Sequence, residues 1–559
     1  MIRHIAVLTV ILSIGSFTIG KGRSRTTKVF WSLVASLYYT ATYFLIAHVA
    51  YTGDQFDYFF FADTRKEIIS TARGIFGPVV LGGVIGIHIS IAIGFFLLFY
   101  VFWSRVSTFR SSVHKMLFFP ASAALLMIAL TPASYDYLST QPGTITTAAE
   151  ARELVRNYGH SSADDLFSKK KSSGENIFIL QIESANALAL EGYLTIDDKK
   201  YNDWYMPKLS EVAKDGVFFP LFFANAIQTN RAAATILCGV VKNLEKAFSF
   251  RPQDLDKTCL PELLAEKGYQ SFFLRSDDIG YANTGNFMKR VGFEKVLNKE
   301  IMKNGDRKYK WGYDDCTFYT RSFDYLEENH SPEKPLLVFF EVSVHHSPWE
   351  GYEEYKFTHK FDKPSNFMER YLNSALQQDY CISVFYEKFK KSSFATDTHL
   401  FIMSDTSQPV GLHGSVHLKQ NAFNENYLTP FAYIPPKNSE NQYQVGKEVR
   451  NLYSQTDVIP TIFELLEGNA FQNSFASVLR KQEGTSESPY EECHVLTQPY
   501  GGGQIAVAKE DWKYVYFVAD KKVEIWDMDD LLELDEPFNV LENISYEDFF
   551  DEYYCERFK

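Results

Sequence analysis

Residues Ala224 to Val241 read ANAIQTNRAAATILCGVV, and their reading decides the fold. The run that leads into them, Val217 to Ala226, is apolar and aromatic, as a buried strand or strand-edge loop would be. After Thr229 the chain is rich in alanine, and Ile236, Leu237 and Val240 recur on one face, so a helix is predicted there. Thr229 then stands where that helix begins. Unpaired backbone N–H groups and the positive end of the helix dipole favour a bound phosphate at such a place, and favour an alkoxide on the threonine as well. A threonine alone at a helix start is ordinarily an N-cap. The surroundings of Thr229 argue for more.

Beyond Gly174, short apolar, β-branched and aromatic runs alternate with helical periods, the pattern of an α/β domain with a mostly parallel sheet. Active sites in such sheets lie at the carboxyl ends of the strands. The run Asn176 to Ile182 is followed by Glu183, and Gln270 to Leu274 by Arg275, Asp277 and Asp278. Pro335 to Val344 is followed by His345 and His346, and His399 to Met403 by Ser404, Asp405 and Thr406. One acid after a strand is ordinarily a cap or a solvated rim residue; two acids, a threonine on a helix start and a histidine pair at one rim point to chemistry. Glu183 and Asp405 are hard oxygen donors suited to Mn²⁺ or Mg²⁺. A threonine held beside such an ion loses its proton more readily and becomes a nucleophile toward phosphorus. Arg231 is then placed to neutralise the oxygens of a transferred group, and His346 to hydrogen-bond them or to protonate a leaving alkoxide.

The first part of the chain meets a different solvent. Residues 1–134 hold 11 Lys and Arg against 4 Asp and Glu, whereas the whole chain carries a net charge of −13. Four apolar runs, about Ile5 to Gly20, Val29 to Tyr51, Ile75 to Trp103 and Met116 to Ala133, predict about four membrane helices, the first of marginal length. The loops Lys21 to Lys28 and Ser104 to Lys115 are basic and therefore cytoplasmic, which puts everything after Ala133 outside and leaves Arg3 on the outer side. His88, inside the third run, is an ionisable residue in an apolar setting, with structural, lipid-headgroup and chemical roles all open. Residues 135–174 read as a tether with a short helix, ending in the basic run Lys169 to Lys171, which would either stay solvated or touch anionic headgroups. Residues 175–494 then form the main outer domain, and 495–559 the strands that complete it. All six cysteines lie in this outer part; up to three disulfides or buried free thiols are compatible with that, and Cys238 with Cys259 is the pair to test first. No dinucleotide fingerprint, phosphate-loop lysine motif or basic patch suited to nucleic acid is present in the sequence.

With these residues in place, the outer domain resembles the sulfatase-like branch of the alkaline phosphatase superfamily, above all the lipoteichoic acid synthases and related membrane phosphoglycerol and phosphoethanolamine transferases. NIFILQIESAN is similar to the first metal motif and QTNRAAATILCG to the nucleophile motif; RSDDIGYANTGNFMKRVGFEKV and KWGYDDCTFYTRSFDYLEE resemble the two central motifs. SVHHSPW, SQTDVIPTIFELL and the tail from Asp511 to Asn543 are similar to the later ones, so the likeness runs from Asn176 to about Asn543. The resemblance implies an alkaline-phosphatase-like α/β domain with a small C-terminal antiparallel sheet, behind a bundle of membrane helices. It implies Glu183, Thr229 and Asp405 as ligands of one divalent ion, Mn²⁺ favoured over Mg²⁺ or Zn²⁺, with Thr229 also the nucleophile. It implies His346, Arg231 and Trp311 as contacts to phosphate or headgroup, with His345 beside them. The expected partners are a phospholipid donor, a glycan or lipid acceptor and the membrane, and no nucleic acid. One departure stands out. The family follows its second metal aspartate with histidine; here Thr406 holds that place, so His413 or His417 would have to swing in, or the ion would be held by harder ligands alone. A degenerate headgroup- or glycan-binding protein is therefore the competing expectation, and a sulfatase-like hydrolase a third. QTNRA lacks the Cys-x-Pro-x-Arg setting of a sulfatase nucleophile, which disfavours sulfate ester hydrolysis.

Overall fold

The computed structural model describes residues 26–37, 40, 92–101 and most of 174–556, with breaks of which the longest are at 188–193, 242–248, 414–421 and 482–489. The expectations for His88, His417, most of the four apolar runs and the tether fall outside the described residues. The chain divides into two compact units, one of residues 1–58 and 69–147, the other of 59–68 and 148–559.

In the first unit, 26–37 and 92–101 are helical. Ser36 donates its hydroxyl to the carbonyl of Ala92 at 2.8 Å, which ties the two segments together. Phe30, Leu33, Leu37, Ile93, Leu97 and Val101 are exposed. No helix among the described residues is long and apolar enough to cross a membrane.

The second unit is built on an eight-stranded sheet. Its strands are β1 (Asn176–Ile182), β2 (Val217–Phe223), β3 (Gln270–Arg275), β4 (Lys295–Leu297), β5 (Leu336–Glu341), β6 (Thr398–Ser404), β7 (Leu428–Ile434) and β8 (Lys447–Glu448). They lie in the order β8-β2-β7-β6-β1-β5-β3-β4. Only β7 runs against its neighbours; the other pairings are parallel. The central strands β1, β2, β5, β6 and β7 are largely apolar because both faces are covered. On β1, Phe178, Leu180 and Ile182 face one core, while Ile177 and Ile179 face the other. Helices α1 (Pro207–Ala213), α5 (Asp315–Asn329) and α6 (Phe367–Lys391) close the first face. Helices α2 (Thr229–Cys238), α3 (Leu260–Glu266), α4 (Thr284–Arg290), α7 (Val458–Glu467) and α8 (Ala476–Leu479) close the second. The strand expected over Pro335 to Val344 stops at Glu341, so His345 and His346 stand at the end of a short irregular segment, not on the strand tip.

A five-stranded antiparallel meander, β9 (Cys493–Gln498), β10 (Gln504–Lys509), β11 (Trp512–Phe517), β12 (Lys522–Asp527) and β13 (Asn539–Leu541), follows and packs on α9 (Tyr546–Tyr553). Its first strand lies beside the segment that leads to Thr229: the Thr497 N–H donates to the Asn225 carbonyl at 3.0 Å, and Asn225 Nδ2 to the Val495 carbonyl at 2.9 Å. All six cysteines are paired, as Cys238–Cys259, Cys316–Cys381 and Cys493–Cys555. The first of these joins the last residue of α2 to the residue that caps α3.

Candidate functional site

The site grows from two adjacent parallel strands. β1 and β6 are in register up to Ile182 and Ser404, and the Asp405 N–H extends the ladder by donating to the Ile182 carbonyl at 3.0 Å. Glu183 and Asp405 therefore leave the sheet side by side. Both are buried. Ser184 links them. Its backbone N–H donates to Asp405 Oδ1 at 2.8 Å and its hydroxyl to Glu183 Oε1 at 2.6 Å. To do so Ser184 adopts φ +54°, a left-handed conformation that costs a non-glycine residue about 1–3 kcal/mol and persists where the surroundings enforce it. The enforcement comes from α6. Gln378 holds the Glu183 backbone at both ends, accepting from its N–H at 2.9 Å and donating to its carbonyl at 3.0 Å, and the Tyr371 hydroxyl donates to the Ser184 carbonyl at 2.8 Å.

Thr229 reaches the same carboxylate from the other side. Gln228, extended and without a side-chain cap bond, is the N-cap of α2, and Thr229 is the first helical residue. The Thr229 hydroxyl is thus not used as a cap: it donates to Asp405 Oδ2 at 2.6 Å. Asp405 also accepts from the Thr406 N–H at 2.6 Å, and Gln455 Nε2 donates to the Asp405 carbonyl at 2.7 Å. Gly239, at φ +65°, ends α2 by donating its N–H to the Thr235 carbonyl, a conformation glycine adopts at little cost.

Electrostatics set the character of this pair. Burial, then the Asp405 charge, holds the Glu183 carboxyl well above the usual carboxylate range, against the Ser184 hydrogen bond. Burial also raises Asp405, against the bonds from Thr229, Ser184 and Thr406. Neither carboxylate is ion-paired among the described residues. Two buried acids without a cationic partner, with a hydroxyl set against one of them, are a donor set that fits a hard divalent cation. Glu183, Asp405 and Thr229 would hold it.

A second cluster stands next to the first. Arg275, at the end of β3, pairs with Glu341, at the end of β5, at 2.7 Å, and with Asp277 at 2.6 Å, all three buried. Burial pushes Glu341 up to about 7, opposed by Arg275, and Glu341 in turn lies within electrostatic reach of Glu183 and Asp405. Arg275 lies 5.9 Å from the Tyr281 ring, Tyr281 meets Trp311 at 6.0 Å, and Trp311 meets His346 at 4.2 Å, so an aromatic wall runs from the arginine to the histidine.

The other expected residues are placed as follows. His345 is buried, its Nδ1 2.8 Å from the Ser374 hydroxyl of α6, and burial, with His346 beside it, pushes it down to about 3. Arg231 Nε donates to Gln228 Oε1 at 2.7 Å across the first turn of α2. His413 has both ring nitrogens engaged, Nδ1 with Glu425 at 2.8 Å and Nε2 with the Glu533 carbonyl at 2.9 Å, and it stacks on Phe423. Ser184, Gln378, Glu341 and Gln455 were not singled out from the sequence. Of these, Glu341 alone carried a signal, as an acid inside the otherwise apolar run Pro335 to Val344.

A family model described as Sulfatase matches residues 175–468, more than half of the chain. The chain belongs to the Sulfatase family. This Sulfatase-family chain is also similar to the phosphoglycerol transferase I of Escherichia coli (strain SMS-3-5 / SECEC), 29% identical over 166 residues, which are 28% of this chain and 21% of that protein. The match thus spans about a fifth of the length of that relative. Among solved structures, a protein in the alkaline phosphatase superfamily from Vibrio parahaemolyticus is 20% identical, with a TM-score of 0.50 over 68% of this chain and 86% of that one. The lipoteichoic acid synthase LtaP from Listeria monocytogenes is 17% identical, with a TM-score of 0.49 over 68% and 91%. At such identities the Vibrio likeness bears on the fold alone: an α/β domain with a mostly parallel sheet and a small C-terminal antiparallel sheet, as the structure shows.

Proposed function

We propose that this chain is a metal-dependent membrane phosphotransferase that moves a phosphoglycerol or phosphoethanolamine headgroup from a phospholipid to a cell-surface glycan or lipid through a covalent Thr229 intermediate. One observation carries the reading: the Thr229 hydroxyl at the start of α2 donates to Asp405, which Ser184 ties to Glu183. The relative's name, phosphoglycerol transferase I, supports the choice of headgroup.

A bound divalent ion supplies positive charge that favours the Thr229 alkoxide and offsets the charge on the phosphoryl oxygens. Asp405 takes up the hydroxyl proton as Thr229 attacks phosphorus. The Thr229 oxygen–phosphorus bond forms as the bond to diacylglycerol breaks, and His346 gives its proton to the departing alkoxide. The reverse proton path serves the second step: His346 takes the proton of the acceptor hydroxyl, that oxygen bonds to phosphorus, and Thr229 leaves and regains its proton from Asp405. Arg231 and Trp311 contact the headgroup, with His345 packed behind. The N–H groups of the first turn of α2 face the phosphate.

The three disulfides support an oxidising compartment outside the cytoplasm, and the exposed apolar residues of the 26–37 and 92–101 helices support membrane helices in residues 1–134. A tether at 135–174 then keeps the rim near its insoluble donor. The test is diacylglycerol release from phosphatidylglycerol or phosphatidylethanolamine vesicles by the full chain with Mn²⁺. Release from one of them, lost in Thr229→Ala, is expected. Headgroup binding without release from either lipid would favour the reading in which Thr406 marks a degenerate, binding-only pocket.

A further inference from the structure

Cys238–Cys259 joins α2 to α3, and the described residues Val241, Ser249 and Leu255 between them are buried. Val241 packs into the core of the C-terminal sheet, Leu255 into that of the main sheet, and Arg290 Nη2 of α4 donates to the Leu255 carbonyl at 2.5 Å. Between these points lies Ser249, fully buried, which makes two contacts of different kinds. Its hydroxyl accepts from Asn230 Nδ2 at 2.7 Å, and Asn230 is the neighbour of Thr229. Its carbonyl accepts from Asn283 Nδ2 at 2.6 Å.

Asn283 is no ordinary partner. It and Ala282 are consecutive left-handed residues, at φ +58° and +50°, and an alanine in that region is strained. The strained corner orients Tyr281, the residue between Arg275 and Trp311 in the wall that ends on His346. Strain of this kind survives only where neighbours over-determine it, and the bond from Asn283 to the Ser249 carbonyl is one of those restraints.

We propose that Ser249 is a positioning residue, the strut that fixes the gap between the Thr229 end of α2 and the Tyr281–Trp311–His346 wall, and that this gap sets how well a phosphodiester headgroup fits. The functional half rests on the transferase reading; the mechanical half does not. The two ends of the strut can be broken separately. Ser249→Ala removes the acceptor for Asn230 and leaves the carbonyl for Asn283. Asn283→Gly removes the amide and accepts the left-handed backbone.

The experiment uses the full chain and reads two quantities: amide hydrogen exchange over residues 281–285, and diacylglycerol release from phosphatidylglycerol or phosphatidylethanolamine vesicles with Mn²⁺. Each single variant should exchange faster over 281–285 and raise KM for the lipid on the order of tenfold, with kcat changed much less. The double variant should be no worse than the worse single, because a strut broken at either end no longer couples. Ser249→Thr, which keeps the hydroxyl, should restore most of the Ser249→Ala loss. Unchanged exchange over 281–285 in Ser249→Ala, or losses that multiply in the double variant, would overturn the strut. If the wild type releases nothing from the vesicles, the transferase reading fails, and the exchange data alone decide the mechanical claim: faster exchange supports it, unchanged exchange refutes it.

Discussion

The Thr229 hydroxyl and the Asp405 carboxylate meet at 2.6 Å across 176 residues of sequence. The contact aims one oxygen, and a β-branched side chain holds that aim because its χ1 is stiff. Thr229→Ser keeps the hydroxyl but frees its rotation, so roughly a tenfold loss of diacylglycerol release is expected. Thr229→Ala removes the nucleophile and should cost at least about 10³-fold. Equal activity in the alanine variant and the wild type would remove Thr229 from the mechanism.

Thr406 follows Asp405 and is buried, its N–H bonded to Asp405 Oδ1 at 2.6 Å. An imidazole there would add a fourth donor, softer than oxygen, to the Glu183–Thr229–Asp405 set. Thr406→His should tighten Zn²⁺ more than Mn²⁺, by roughly tenfold or more for Zn²⁺, the size of change a single well-placed ligand or its support produces. Chelator competition on the purified chain measures this. Unchanged affinity for both ions would place the cation elsewhere.

His345 is buried and neutral in the fold, pushed down to about 3 from an ordinary value near 6.5. Its unfolded form therefore binds the extra proton first, and the sign follows: this contribution to stability is complete above about pH 6.5 and is lost as pH falls toward about 3. Between pH 7 and pH 5 the loss is about 2 kcal/mol by linkage. In His345→Gln, which does not titrate, urea unfolding should show a smaller drop over the same interval. An identical drop in both proteins would show that His345 takes up its proton equally in the folded and unfolded states.

Lys513 and Glu533 meet at 2.7 Å with both side chains buried, and Lys513 also donates to Asn424 Oδ1 at 2.9 Å. The Glu533 carbonyl in turn holds His413, and Glu425, the other partner of His413, accepts the backbone N–H groups of Val410 to His413. The C-terminal sheet thereby anchors the segment that follows Thr406. Lys513→Ala leaves a buried charge unpaired and should cost about 3–5 kcal/mol, whereas Lys513→Met with Glu533→Leu should cost much less. Denaturant unfolding of the two variants measures the difference; equal losses would mean that the pair contributes through volume and not charge.

Much of this site was legible because it is built where strands end. Apolar runs ending in Glu183 and in Asp405, and an alanine-rich helix starting at Thr229, are local patterns, and two parallel neighbours place their next residues together whatever the loops do. Cys238 with Cys259 was legible as a candidate for the same reason, since it clamps the far end of that helix. The supports were not legible. Gln378 reaches Glu183 across 195 residues, Lys513 is a cation that no period would bury, and Ser184 reveals its left-handed backbone only in three dimensions. His413 was weighed as a stand-in ligand, yet its two nitrogens serve Glu425 and Glu533 because the C-terminal sheet packs against its segment, a contact that follows from tertiary docking alone.

The most direct measurement is the mass of the protein itself. After incubation of the full chain with phosphatidylglycerol or phosphatidylethanolamine and Mn²⁺, followed by acid quench, intact mass should rise by one phosphorylated headgroup, and peptide mapping should put that group on Thr229. No adduct with either lipid under conditions where diacylglycerol is released, or an adduct that persists in Thr229→Ala, would contradict the covalent threonine on which the account rests.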